Sequence, residues 1–474
     1  MQKETSSFRI LDWISGRRGY MAAGCVAAVM AVLAFARFSA PASAPSTPGR
    51  DAVGEIAAGD VSGEPLAGEP VPGGAAPGET TSSAGVPEGA IASDNIFDFP
   101  PVSDGVPRVR KPAAVRGIYL NAWAAGSAQK LARLIELANS TEINSFVIDV
   151  KEGGQISYRS QVPLAREIGA DQAHIGDIRS VLRKLRENGI YPIARIVVFR
   201  DEVLAKARPH WAVRHQNGGE WIDSYGHRWV DTYNRDVWDY NIAIAREALE
   251  LGFSEVQWDY VRFPDVPQAL MRVAHWPAQQ GRTKADAIRE FLLYSREQLR
   301  SYDVPVTADV FGLTVSARGD MGIGQQWEKM LDATDVLLPM VYPSHFARGS
   351  YGIAYPNAAP FETVRTSMQH AVRRTAGVPN AATIRPWLQD FTLGQPRYGA
   401  QHVRAQIDGV YAAGLSEWVL WNPGSNYTVA ALADRDGRAP DLDRPVAGPA
   451  RETEATARPR RVVPLGTPVT GGSR

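Results

Sequence analysis

A (β/α)8 TIM-type barrel is the fold this sequence predicts, and three observations predict it. Between about Val115 and Asp434 an apolar strand, a polar tip, an amphipathic helix and often a glycine recur in eight units. Polar and charged residues collect at the C-terminal tips of those strands, the end at which such barrels carry their sites. The turn after the first strand, Trp123-Ala124-Ala125-Gly126-Ser127, lacks the glycine-rich fingerprint that an open doubly wound sheet would offer there.

Taken in order, the first predicted strand runs Val115 to Trp123, and its helix carries Leu131, Leu134, Ile135 and Ala138 on one 3.6-residue face. The second, Phe146 to Lys151, ends in Glu152-Gly153-Gly154, and its helix shows Ile178, Val181, Leu182 and Leu185 before Gly189. The third, Tyr191 to Phe199, leads through Arg200-Asp201 into a long loop to about Asn234 that holds Trp211, Trp221 and Trp229. A helix over Asp236–Leu251 follows, and Gly252 after it is expected to form a left-handed cap. The fourth strand centres on Glu255-Val256-Gln257-Trp258-Asp259-Tyr260, with Val256 and Trp258 on one face and Gln257 and Asp259 on the other. Val304 to Gly312 forms the fifth, and its parity sets Asp309 beside Thr307 while Val306, Ala308 and Val310 point to the helices. Val336 to Pro343, Thr383 to Gln389 and Glu417 to Asn422 complete the set.

The ends have a different composition. Arg17-Arg18 precede eighteen uncharged residues, 19–36, which as a helix would span ~27 Å, close to a bilayer's hydrocarbon thickness. Residues 1–38 are therefore expected to be a cytoplasmic stub and a transmembrane signal-anchor, with a cleaved signal peptide as the alternative. Either would put the rest of the chain outside the cytoplasm, in the cell envelope. Residues 39–112, rich in Ala, Pro, Gly and Ser, read as a flexible tether, 113–436 as the barrel and 437–474 as an unstructured tail. The 51 basic and 51 acidic residues of the 474 cancel, which argues against nucleic acid as a partner. The single cysteine, Cys25, excludes an intrachain disulfide framework and a thiolate metal site.

Among the tip residues, Asp259 and Asp309 fall on neighbouring strands at equivalent depth. A strand spacing of ~4.8 Å then brings their carboxyls into the range in which one can protonate a leaving oxygen while the other faces an oxocarbenium-like centre. Asp259 is expected to be the nucleophile or charge stabiliser and Asp309 the acid/base, with Asp149, Glu152 and Asp390 as alternative acids. Parity sets Asp149 beside Lys151, and Arg195, mid-strand, needs Asp149 or Asp259 as a carboxylate partner. Arg262, Tyr342 and Gln389 join these as further catalytic or substrate-binding candidates. Trp123, Trp387 and Trp421 end strands and are expected to stack on sugar faces, and the three tryptophans of the 201–234 loop to line a groove. No histidine cluster suggests a metal, and a carboxylate-only cation site at Asp149, Glu152 and Asp259 is the weaker reading. No cofactor is expected. No Gly-x-Ser-x-Gly elbow supports serine hydrolase chemistry.

The stretches VRGIYLNAW (115–123), FVIDVKEG (146–153), IARIVVFRD (193–201), QWDYVRFP (257–264), ADVFG (308–312), LPMVYP (338–343) and RPWLQDF (385–391) together resemble a bacterial family of glycoside-hydrolase type, domain of unknown function 4015. DYVRFP is the most specific of them, although Trp258 stands where the family pattern has Phe. The resemblance implies a TIM-type barrel that hydrolyses glycosidic bonds, with Asp259 the residue most directly carried over. An envelope or extracellular polysaccharide is the expected substrate, and the membrane is the expected second partner. A non-catalytic glycan-binding barrel and a carbohydrate esterase or lyase are the competing readings.

Overall fold

The computed structural model describes residues 106–440 and 442. Eight parallel strands form the wall: β1 (Arg116–Leu120), β2 (Ser145–Glu152), β3 (Tyr191–Val197), β4 (Glu255–Asp259), β5 (Val306–Phe311), β6 (Val336–Met340), β7 (Trp387–Gln389) and β8 (Trp418–Trp421). Each pairs with the next in sequence, and β8 returns to β1 with Val419 opposite Gly117, so the cylinder is closed. Closure leaves no open strand edge in the wall. The seventh stave is interrupted at Arg385-Pro386, and its lead-in, Thr383–Ile384, pairs separately with β6.

Helices α1 (Ala128–Ser140), α2 (Ile178–Glu187), α3 (Arg235–Leu251), α4 (Lys284–Leu299), α5 (Trp327–Met330), α6 (Pro360–Thr375) and α7 (Ala400–Ala412) connect the staves. The repeat is uneven among the described residues: α5 is a single turn, and β8 is followed only by a 3-10 turn at Val429–Ala431. Asn234 caps α3 by accepting from the Asp236 N–H, and Gly252 ends it at φ 117°, the left-handed geometry its position predicts.

Strand alternation divides the apolar residues into two cores. Phe146, Ile148, Val256, Trp258, Val306, Ala308 and Val310 face outward into the layer between staves and helices. There Trp258 meets Phe291 of α4 at 5.3 Å and donates its indole N–H to Ser295. Tyr119, Val147, Tyr191, Ile193, Leu338, Tyr342, Trp387 and Val419 fill the barrel interior.

The floor of the barrel is charged. Arg385 enters the barrel axis fully buried and bridges Glu255 at 2.6 Å and Glu417 at 2.8 Å. The segment from Val106 is strapped beneath it. Arg108 donates to the carbonyls of Leu249 and Phe253, the Val109 N–H donates to Ser254 Oγ, and Lys111 pairs with Glu417 at 2.7 Å. The last residues of the expected tether thus belong to the folded body. The apolar run 19–36 and most of both end segments lie outside the described residues. Among the described residues no helix is long and apolar enough to cross a membrane.

Candidate active site

Register builds the site at the C-terminal mouth. Asp149 of β2 lies opposite Arg195 of β3, and Asp259 of β4 opposite Val197. Trp258 lies opposite Ala308, so Asp259, the last residue of β4, and Asp309, two residues before the end of β5, lie at matching depth. Arg195 is the hub. Its Nη1 donates to Asp149 at 2.5 Å and to Glu152 at 2.8 Å, and its Nε and Nη2 donate to Asp259 Oδ2 at 3.0 and 2.5 Å. Its mid-strand position called for either Asp149 or Asp259 as partner. It binds both, with Glu152 as a third.

Asp259 has its other oxygen 2.5 Å from the N–H of Tyr260, a residue at φ 51°. A bulky residue in the left-handed region is strained, and here the strain turns the backbone so that its N–H points at the carboxylate. Arg200 donates to Glu152 and, at 2.6 Å, to Tyr260 Oη, and its guanidinium lies 3.9 Å from the Tyr260 ring centre.

Asp309 has no cation in contact. Gln257 Nε2 lies 2.9 and 3.0 Å from its two oxygens, and the Trp387 indole N–H donates to Oδ1 at 2.6 Å. Burial, and then the charge of Asp259, push the Asp309 carboxyl well above the ordinary carboxylate range, against the lowering pull of Arg195 and these two donors. Burial also raises Asp149, to about 6, despite Arg195. Burial would raise Glu152 too, but Arg195 and Arg200 outweigh it and hold that carboxyl below its usual value. The site therefore contains three carboxyls tied to guanidiniums, Asp259 among them, and, on the stave next to Asp259, one that favours its proton. Asp259 and Asp309 both sit lower than the rim positions expected of them: Asp259 is 6% exposed and Asp309 only 1%.

Tyr342 follows the end of β6, within electrostatic reach of both aspartates. Its ring stacks on Trp421 at 5.5 Å and meets Phe391 edge-on at 5.7 Å. Burial, then the charges of Asp309 and Asp259, raise its phenol well above 10, so the hydroxyl remains a donor.

Several expectations are corrected. Lys151 is outside the site. The register shifts between Asp149 and Lys151, and this bulge turns Lys151 to the outer layer, fully buried, with Asp201 at 2.7 Å and Asn241 at 2.8 Å. Gly154 permits the contact, because a Cβ there would lie 2.2 Å from Asp201 Oδ1. Trp387 is 2% exposed and serves Asp309 as a donor, so its face is not open to a sugar. Trp123, by contrast, is 53% exposed, against His174. Trp421 is half-buried in the Tyr342 stack.

Gln389 and Asp390 fasten loops. Gln389 accepts from the Ser344 N–H and donates to the Phe391 carbonyl, while Asp390 accepts from both the N–H and the hydroxyl of Thr428. Trp211, Trp221 and Trp229 line no groove. They are the buried core of a cap in which Arg214–His215 pairs with Ala274–His275, joining the β3 and β4 loops. Sequence reasoning passed over Gln257 as a partner of the acid and Tyr119, which donates to Asp149 at 2.5 Å. The parity of Gln257 with Asp259 was the available signal for the first. Nothing in the sequence marks the second. Among the described residues no cluster of three or more His, Cys, Asp or Glu is arranged to hold a metal.

The family described as "Putative glycosyl hydrolase domain" matches residues 117–427. A hypothetical protein from Ruminiclostridium thermocellum is 42% identical over 41% of this chain and 97% of its own, with a TM-score of 0.38. The glycoside hydrolase domain of PgaB (BpsB) from Bordetella bronchiseptica is 13% identical over 68% of this chain and 99% of its own, at TM-score 0.49. An α-galactosidase from Thermus thermophilus is 15% identical over 68% and 60%, at TM-score 0.43. No curated protein matches the chain.

Proposed function

The chain belongs to the family described as "Putative glycosyl hydrolase domain", and on that premise we propose that it hydrolyses glycosidic bonds of an envelope or extracellular polysaccharide, with Asp309 as general acid/base and Asp259 as nucleophile or charge stabiliser. The observation that carries the reading is the split between two carboxyls at one depth: Asp259 is bound by Arg195, while Asp309 touches no cation and favours its proton. In the proposed reaction the Asp309 proton passes to the leaving oxygen as the C1–O bond breaks. The Asp259 carboxylate meets the positive charge that develops at C1. Water then adds at C1 and returns a proton to Asp309. Arg195 keeps Asp259 aimed while compensating Asp149 and Glu152. Tyr342 supplies a hydroxyl donor, and Trp421 and the exposed Trp123 supply apolar faces for sugar rings. Export by the N-terminal apolar run, as an anchor or a cleaved signal, belongs to the same proposal.

The test is a screen of the full-length chain against envelope glycans with product detection by mass. Product with the mass of added water supports hydrolysis, whereas an unsaturated product or a released acyl group points to a lyase or an esterase. Asp259→Asn and Asp309→Asn should each lower turnover by ~10²–10⁴-fold while the protein still folds and binds. Turnover equal to wild type in both would sink the assignment. The depth of Asp309, 1% exposed, also suits a barrel that binds a glycan without cleaving it. That second reading predicts retention on a glycan matrix with no product from any chain.

A further inference from the structure

The arginines of the inner barrel and its mouth differ in one respect. Arg195 holds three carboxylates, Arg200 holds Glu152, and Arg385 holds Glu255 and Glu417. Arg262 holds none. It is 7% exposed, and among the described residues no carboxylate lies within ion-pair distance of it. Its one hydrogen bond is from Nη1 to the carbonyl of Phe263 at 3.0 Å.

Three rings surround the guanidinium: Tyr260 at 4.6 Å, Phe311 at 4.7 Å and Trp229 at 5.1 Å. Ring faces attract a cation, which offsets part of its desolvation, yet they leave most of its five N–H groups unused. Those groups are not sealed in the core. Buried, unbonded arginine nitrogens occur at Arg116 and Arg365, but none belongs to Arg262. Tyr260 follows the end of β4, Phe311 ends β5, and Trp229 closes the cap of the β3 loop, so the unused N–H edge lies at the mouth. Asp265 and Asp259 attract Arg262 through space without touching it, and Arg200 repels it.

A cation drawn out of water and left without a counter-ion is costly, and such a group is ordinarily paired or used. Resting on the glycosidase reading above, we propose that Arg262 is a specificity-determining residue that receives the carboxylate of a uronic acid, so that the substrate is an acidic glycan. The guanidinium presents a planar fork of parallel N–H donors, which matches the two oxygens of a carboxylate better than a neutral hydroxymethyl group can. Its neighbour Asp259 sets the place: the acidic sugar occupies or adjoins the position where cleavage occurs. Of the mouth carboxylates, Asp149, Glu152 and Asp259 are held by Arg195 and Arg200, and Asp309 favours its proton, so these four offer little to a cationic sugar; Asp265 is drawn to Arg262 without an ion pair.

Affinity electrophoresis of the full-length chain tests this, with gels containing polygalacturonate, hyaluronan or alginate, each beside its carboxyl-reduced form, and dextran sulfate as the tetrahedral anion. At least one uronate polymer should retard the wild type, with carboxyl reduction weakening binding by roughly tenfold or more. Arg262→Met should bind the acidic and reduced forms alike. Arg262→Lys, which keeps charge but not the fork, should fall between. Arg348→Met removes an exposed arginine from the same end of the barrel and controls for general attraction to polyanions. The proposal is overturned if no uronate polymer retards the wild type, if dextran sulfate alone does, or if R262M and R262K both discriminate as wild type does. Melting curves establish that each variant folds, and R262K carries the test where R262M does not. Discrimination between acidic and reduced polymers without any product would leave Arg262 its role and remove the glycosidase reading. Equal cleavage of both forms would do the reverse.

Discussion

At the scale of single residues, the two aspartates differ in what faces them, and that difference has a pH signature. Burial and Asp259 hold the proton on Asp309, so in the proposed reaction activity is lost as pH rises through its elevated pKa. The Trp387 indole donor favours the ionised form. Trp387→Phe should therefore move the alkaline limb of a pH–rate profile upward as well as lower kcat; a profile with unchanged limbs would deny Trp387 any influence on the acid. The same shift has a sign in stability. A carboxyl whose folded pKa is raised contributes stability that is full below the unfolded value and is lost as pH rises toward the folded one. Asp309→Asn does not titrate, so its melting temperature relative to wild type should climb between pH 4 and pH 7. A constant difference across that range would contradict the raised pKa. These two aspartates were legible because strand parity and tip position are written in the chain. The Trp387–Asp309 contact was not, since it joins residues on different staves through a side-chain rotamer that alternation does not specify.

At the scale of elements, one extra residue in β2 decided which candidates meet. Simple alternation sets Lys151 beside Asp149, but the bulge between them sends Lys151 outward to Asp201 and leaves Asp149 to Arg195. A bulge has no reliable signature in a single sequence, which is why alternation sets Lys151 beside Asp149 while the structure turns it outward. The cap misled for a related reason. Trp211, Trp221 and Trp229 look like a groove in a loop read as loop, yet the loops after β3 and β4 pair with each other and need a core of their own. Arg195 binds β2, β3 and β4 together through three carboxylates, and removing it would leave the buried Asp149 and Asp259 without their cation. Arg195→Met should destabilise the fold by ~3–5 kcal/mol in urea or guanidinium titration. A loss under ~1 kcal/mol would mean that water already screens the cluster.

At the scale of the whole molecule, the two ends of the barrel divide the work. The mouth concentrates carboxyls, guanidiniums and half-buried aromatics, whereas the floor is closed by the Glu255–Arg385–Glu417 network and the strap beneath it. The strap enters by Arg108, Val109 and Lys111, and the chain near Asp434 returns to the same end, where it bridges to Thr141 just after α1. The described residues at both ends of the chain therefore lie on the side away from the mouth. The strap also makes a quantitative claim, because its contacts come from residues that composition assigns to a tether. A chain beginning at residue 113 loses the two Arg108 bonds, the Val109 bond and the Lys111 ion pair, and it uncovers Glu417 and Ser254. At roughly 1 kcal/mol for each bond, it should be less stable than a chain beginning at residue 105 by about 2–4 kcal/mol. The mouth lies at the other end of every stave, so kcat at a temperature where both chains are folded should agree within about twofold. Equal denaturation midpoints for the two chains would show that the strap rests on the floor without holding it. A large loss of kcat with stability unchanged would mean that the floor is coupled to the mouth along the staves, which the separate networks at the two ends argue against.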